Sequence, residues 1–308
     1  VSVASYEEVL AQAAERDPRV VVLTAENRAA IRGLPARLGV RFIDVGIAEQ
    51  TLVGVAAGLA LRGRVPVVHA LATFLTMRAF EFIRTDVGIP RLPVKIVGGV
   101  PGVLSEANGP THQAIEDVAL MRGIPGMEIF CPADAEELAS GMPQVLASPN
   151  PVYVRFNAAT PAAPHPDPVT WGRAEVMGSG TRVAIFTYGY LVREAVAALP
   201  LLQARGLPGT VINLRTLAPI DRLAVLRASV EAEMVVTLED HFVTGGLFSI
   251  VSELWARAGI ARPILPIGFE ERWFHPAMLP SVLRCEGFTA PQLTDRIGVA
   301  YRSVVPRR

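Results

Sequence analysis

The chain has 308 residues, 51% of them hydrophobic, with 29 basic and 29 acidic side chains. That length suits about two domains, and a formal charge of zero with no Lys/Arg block gives no electrostatic footprint for nucleic acid or anionic lipid, so neither is expected as a partner. The most apolar stretch, residues 52–61, is about half the ~20 residues of a membrane span, and no membrane association is expected. The opening residues lack the basic and apolar regions of a signal peptide. Cys131 and Cys285 stand far apart and outside any metal-spaced pattern, so two free thiols in a cytoplasmic setting are the expectation.

In chain order, apolar runs at 19–24, 41–46, 65–71, 93–99, 127–131 and 151–156 read as strands, with helical patterns between them. Such alternation predicts a mostly parallel sheet covered by helices. Asp134, with Glu137 three residues on, reads as a capping box ahead of Leu138. Four prolines within residues 160–168 then forbid helix and deny a strand its ladder donors, which marks an extended linker. The pattern restarts with strands near 182–188, 210–214, 234–238 and 264–267. The expected fold class is therefore α/β, with two three-layer domains of mostly parallel sheet: residues 1–160, a Pro-rich linker at 161–170, and residues 171–308.

Glu49, in Gly46-Ile47-Ala48-Glu49-Gln50, falls in the turn between the strand at 41–46 and an apolar helix at 51–61. Open α/β sheets collect ligands at that edge, although a glutamate at a helix start is also favoured by the macrodipole alone. Two further segments occupy comparable positions, Thr73-Phe74-Leu75 and Gly109-Pro110-Thr111-His112-Gln113. Phe74, Met77 and Phe80 would share one face of a helix beginning this early, a spacing that a core stripe also produces. Gly54 and Gly58 give the helix at 51–61 a small face suited to close packing against a partner subunit.

Together these segments resemble the pyrimidine-binding domain of transketolase and of its relative deoxyxylulose-phosphate synthase. The resemblance continues from about residue 170 to 308 as the family's C-terminal domain. It implies thiamine diphosphate as cofactor and transfer of a two-carbon ketol unit from a ketose or ketone-like donor to an aldehyde acceptor. Glu49 matches the glutamate that hydrogen-bonds the pyrimidine N1′, a role that needs a desolvated carboxyl able to share a proton; Val45, Ile47 and Leu52 are its expected apolar surroundings. Phe74 matches the stacking phenylalanine, and Met77 and Phe80 stand where further aromatics are common, methionine being a polarisable substitute. Glu26 stands where relatives have an aspartate at a subunit contact near the cofactor, or else lies in a solvated turn. His112 matches a histidine facing substrate and cofactor.

At the substrate end, Arg155 matches an arginine that grips a sugar phosphate. Asn108 and Val100 stand where an aspartate and a histidine read donor hydroxyls, so specificity is expected to depart from that of ordinary transketolases. His69 is expected to be structural, and His165 and His275 exposed. In the second region, Glu239-Asp240-His241 and Gly245-Gly246-Leu247 resemble a strand-end acid/histidine pair and a helix start able to receive an anion, in a domain chiefly used for self-association. The family's Gly-Asp-Gly metal motif is absent from the 308 residues. The expectation is thus no metal ligand in this chain, a separate subunit bringing the diphosphate-binding domain with its Mg2+ or Ca2+, and a heterotetramer of two of each. Two other readings stay open: the β subunit of a 2-oxoacid decarboxylase or dehydrogenase, and a regulatory subunit without catalysis.

Overall fold

In the computed structural model, which describes residues 5–304, the apolar runs become strands: β1 (Val20–Thr24), β2 (Phe42–Asp44), β3 (Val65–Leu71), β4 (Lys95–Gly99), β5 (Glu128–Phe130), β6 (Val152–Arg155), β7 (Glu175–Gly178), β8 (Val183–Thr187), β9 (Gly209–Asn213), β10 (Thr216–Ala218), β11 (Met234–Phe242) and β12 (Ile264–Phe269). They form a seven-stranded sheet ordered β10-β5-β6-β4-β3-β1-β2 and a five-stranded sheet ordered β12-β11-β8-β9-β7. All pairings are parallel except β10 with β5 and β7 with β9. Strands β1 and β8 are buried along their whole length, as parallel strands covered on both faces must be. The expected α/β class and mostly parallel sheets are what the chain forms.

The helices have local causes. Ser5 caps Tyr6–Arg16 by accepting the Glu8 N–H, with Glu7 and Glu8 in the first turn and Arg16 in the last, all favourable to the macrodipole. Asp134 caps Ala135–Ala147 through the N–H groups of Glu136 and Glu137. The expected reciprocal half of that box does not form: Glu137 accepts from Ala133 N–H instead and turns its other oxygen inward. Helix Leu247–Ala258 lays Leu247, Ile250, Val251, Leu254 and Trp255 against the core and ends on Gly259 in the left-handed region. One apolar cluster joins the sheets, running from Leu23, Leu52 and Ile96 to Phe186, Val235 and Trp255. Each such fully buried side chain contributes about 1.5–3 kcal/mol relative to exposure.

In the larger sheet the chain steps from β1 outward to β2 and then returns to place β3 on the opposite side of β1. Adjacent connections therefore diverge above β1 and β3, opening a crevice at the carboxyl ends of the strands. Segments following β1, β2, β3 and β4 all emerge at this edge. They carry Glu26, Glu49, Phe74 and Val100.

Candidate active site

Glu49 is the first residue of helix Glu49–Leu61, whose inner face buries Leu52, Val53, Ala56, Ala57 and Ala60. That packing carries the glutamate under the protein surface, where its side chain is only 2% exposed. Arg78 covers it: Nη1 donates to Glu49 Oε2 at 2.8 Å, while the guanidinium carbon lies 4.2 Å from the centre of the Phe74 ring. His112 meets the same phenylalanine edge-on at 5.3 Å between ring centres. A buried carboxyl, an aromatic face and an imidazole, from three separate segments, thus gather at the crevice.

The segment after β3 is not an ordinary helix. Ala79 N–H bonds Phe74 O five residues back, at 3.2 Å, and Phe74–Arg78 forms a π-type turn. Such turns widen the helix and recur at functional sites. This one breaks the expected common face: Phe74 borders the crevice, Met77 is exposed with its sulfur accepting from Thr73, and Phe80 packs on the core. Arg78 was not anticipated. Its only signal in sequence was a cation four residues after Phe74 in a largely apolar stretch.

Other expected site residues have their own surroundings. Glu26 is exposed, with a left-handed backbone whose N–H bonds Asp44. Val100 also has positive φ, 46°, which is costly for a β-branched residue and fixes the sharp exit from β4. Asn108 is exposed and donates to Ser105 Oγ at 3.1 Å. Thr111 Oγ1 engages His112 Nδ1 at 2.9 Å. The loop bearing these residues is tied to the C-terminal region, because Ala107 N–H donates to Ala277 O and Pro276 packs against Gly109.

Arg155 corrects its expectation. Its side chain is buried between two carboxylates of its own chain, Nε to Asp117 Oδ2 and Nη1 to Asp240 Oδ1, both at 2.8 Å. Tyr153 O–H adds a second bond to Asp117, at 2.7 Å. The guanidinium neutralises two buried acids, one at the start of helix Asp117–Arg122 and one on β11, and presents no surface to a sugar phosphate.

The expected anion site at Gly245-Gly246-Leu247 is likewise filled from within. Glu239 accepts from Leu247 and Phe248 N–H groups, and burial lifts its carboxyl to about 8 despite those bonds. His241 accepts from Ala119 N–H through Nε2 and donates from Nδ1 to Phe242 O, the neutral ring that its burial favours. His69 is buried, bonds Tyr6 O–H at 2.7 Å and is lowered to about 4 by burial, a structural residue. His275 is exposed, and both cysteines are free thiols.

His165 is not exposed as expected. Its Nε2 lies 2.7 Å from Asp134 Oδ2 and its Nδ1 2.9 Å from Glu175 Oε2. Burial disfavours a charged ring, yet the bonds to Asp134 and Glu175 and the charge of Glu137 outweigh it and raise His165 to about 10. Glu137, His165 and Glu175 are close enough to hold a metal ion. However, Arg215 donates to Glu137 and pairs with Glu175, Asn213 donates to both, and an imidazolium donates from both nitrogens. The group is therefore an ion-pair clasp that fastens the proline-dense segment around His165 to helix Ala135–Ala147 and to β7.

A mostly parallel, open α/β sheet with a buried acid beside an aromatic ring at its switch point has the arrangement at which such sheets collect ligands. The chain matches the family models "Transketolase, pyrimidine binding domain" over residues 2–160 and "Transketolase, C-terminal domain" over residues 172–293. It is 38% identical over 253 residues to a 6-deoxy-6-sulfo-D-fructose transketolase subunit of Clostridium sp. (strain MSTE9), covering 81% of this chain and 79% of that one. It is 34% identical over 313 residues to the 1-deoxy-D-xylulose-5-phosphate synthase of Synechococcus sp. (strain JA-2-3B'a(2-13)), 98% of this chain but only 48% of that enzyme. The chain thus spans about half the length of those synthases. Among solved structures, a split gene transketolase described as an inactive beta4 tetramer aligns with a TM-score of 0.85 and 32% identity, over 97% of this chain and 96% of that one. The chain belongs to the transketolase family, and it is a component of a transferase-type enzyme.

Proposed function

We propose that this chain is the pyrimidine-domain subunit of a two-component, thiamine-diphosphate-dependent transketolase, organised as residues 1–160, a linker at 161–170 and residues 171–308. What carries the reading is the buried Glu49 carboxyl beside the face of Phe74. The fit to an aminopyrimidine has a direct test in the geometry: a planar, nitrogen-bearing group, the Arg78 guanidinium, already lies on Phe74 with one nitrogen on Glu49. Thiamine diphosphate, when bound, supplies the thiazolium carbon that cleaves the bond beside a donor carbonyl and passes a two-carbon unit to an aldehyde.

The chain's own residues supply position and proton control. Glu49 would hold a proton at the pyrimidine N1′ in a site from which its burial excludes water. Phe74 would stack on the ring, with the exposed Met77 at the margin. His112 has Nδ1 engaged by Thr111, which leaves Nε2 for a substrate oxygen. Asn108, in the same loop, offers a donor hydroxyl an amide in place of a carboxylate. A neutral amide lacks the charge-assisted acceptor that such a hydroxyl would use, so the donor range is broader than that of sugar-phosphate transketolases. With Arg155 sequestered, phosphate recognition by that residue is not part of the reading.

A separate subunit would bring the diphosphate-binding domain and Mg2+ or Ca2+, in a cytoplasmic heterotetramer. Support comes from a relative named as a subunit and a structural neighbour from a split gene. The outer face of helix Glu49–Leu61 adds to it: Leu61 is 70% exposed, Ile47 just ahead of the helix is 72% exposed, and a Cβ placed at Gly54 or Gly58 would meet nothing within 4 Å. Such a face suits a subunit contact. The test is reconstitution from this chain, the diphosphate-domain subunit, thiamine diphosphate, Mg2+, a ketose donor and an aldehyde acceptor. Ketol transfer that needs both proteins is expected. Tight metal-dependent cofactor binding by this chain alone, or no transfer from any ketose tried, would overturn it.

A further inference from the structure

Arg78 occupies both contacts that an aminopyrimidine would need. Its guanidinium is flat, carries its charge across an amidine-like set of nitrogens, covers the Phe74 ring at 4.2 Å and donates to the buried Glu49 carboxyl at 2.8 Å. A 4-aminopyrimidine is also a flat amidine that would stack on Phe74 and share a proton between its ring nitrogen and Glu49. The two cannot hold the same oxygen and the same ring face at once. Arg78 is 45% exposed, and its backbone carbonyl is held by Gln50 Nε2 at 3.3 Å, so the side chain can swing into solvent while its backbone stays fixed.

We propose that Arg78 is an internal competitor for the aminopyrimidine half-site, a positioning residue that sets cofactor affinity by keeping Glu49 and Phe74 engaged until the cofactor displaces it. The proposal rests on the thiamine reading given above. It gives the π-type turn a role: the extra residue between Phe74 and Ala79 brings Arg78 back over the phenylalanine that starts the turn. The latch shields a buried acid from solvent cations, and each binding event must first break one charge-assisted hydrogen bond and one cation–π contact.

The experiment is calorimetric titration of thiamine diphosphate into the assembled two-subunit enzyme carrying wild-type chain, R78M or R78K. Because the lost bond joins a half-exposed arginine to a buried acid, removing it should tighten cofactor binding about tenfold. R78K, which keeps charge but cannot lie flat on the ring, should fall between. In an E49Q background the effect of R78M should shrink to less than about twofold, since the latch has lost its anchor. Saturation-transfer NMR with 4-amino-5-hydroxymethyl-2-methylpyrimidine on this chain alone gives a second readout that needs no partner, and R78M should bind this fragment more tightly than wild type. Unchanged or weaker binding by R78M, in an enzyme whose wild type binds the cofactor, overturns the Arg78 proposal and leaves the thiamine reading standing. No cofactor binding by any assembled form overturns both.

Discussion

Replacing Arg155 with methionine separates a structural arginine from a phosphate-binding one. The substitution keeps an unbranched side chain of similar reach but removes two 2.8 Å bonds, and so strands the buried carboxylates of Asp117 and Asp240. Breaking a buried ion pair from one side costs about 3–5 kcal/mol. Tyr153 O–H stays on Asp117 and the Val103 N–H on Asp240, which places the loss near the lower end, about 3 kcal/mol. At roughly 2–4 °C per kcal/mol for chains of this size, R155M should melt about 6–12 °C below wild type. Thermal unfolding of the chain by circular dichroism measures this. The assembled variant, kept well below its melting point, should show no selective rise in KM for phosphorylated over non-phosphorylated donors. A melting temperature within about 2 °C of wild type, together with a KM that rises only for phosphorylated donors, would refute the internal role.

Two other substitutions have equally definite outcomes. His165 is raised from 6.5 to about 10, so its protonated form stabilises the fold fully below about pH 6.5, and that contribution is lost as pH climbs toward 10. Unfolding free energies at several pH values should show H165Q well below wild type at pH 6 and converging on it near pH 10, and a gap constant with pH would contradict the clasp. Asn108→Asp should restore a charge-assisted acceptor to the substrate loop and raise kcat/KM for polyhydroxylated ketoses several-fold over simple hydroxyketones. A ratio unchanged by this substitution would remove Asn108 from donor recognition.

How much of this was readable in the sequence follows the range of the interactions. The central parallel strands are buried on both faces, so they appear as unbroken apolar runs and were found within a residue or two, except that β11 runs on from 238 to Phe242 through Glu239, Asp240 and His241, whose charge broke the apolar pattern. Strands β7 and β10 escaped. The first is a half-exposed edge, Glu-Val-Met-Gly, and the second is three residues that exist as a strand only by pairing with β5. Glu49, Phe74 and His112, which the structure brings to one edge, could be singled out because each sits in a short motif, the first two just past a strand's end. The partners of Arg155 lie 38 and 85 residues away, and those of His165 are a helix cap 31 residues back and an edge strand 10 residues on, so composition pointed wrongly: a proline-dense stretch suggested an exposed histidine. The π-type turn was invisible for a related reason. Whether one extra residue is absorbed depends on what the flanking turns pack against, not on the local spacing of Phe74, Met77 and Phe80.

The central claim is that Glu49 manages a proton on the cofactor's pyrimidine ring. The most direct measurement is steady-state turnover of the assembled enzyme with Glu49→Gln, beside its assembly state and its saturation with thiamine diphosphate. Glutamine keeps the size and the hydrogen-bonding reach but cannot hold or release the proton. With assembly intact and cofactor saturating, kcat should fall by about 10²–10⁴-fold, or roughly 3–5 kcal/mol of barrier. A saturated, correctly assembled E49Q enzyme turning over within a few-fold of wild type would contradict the account.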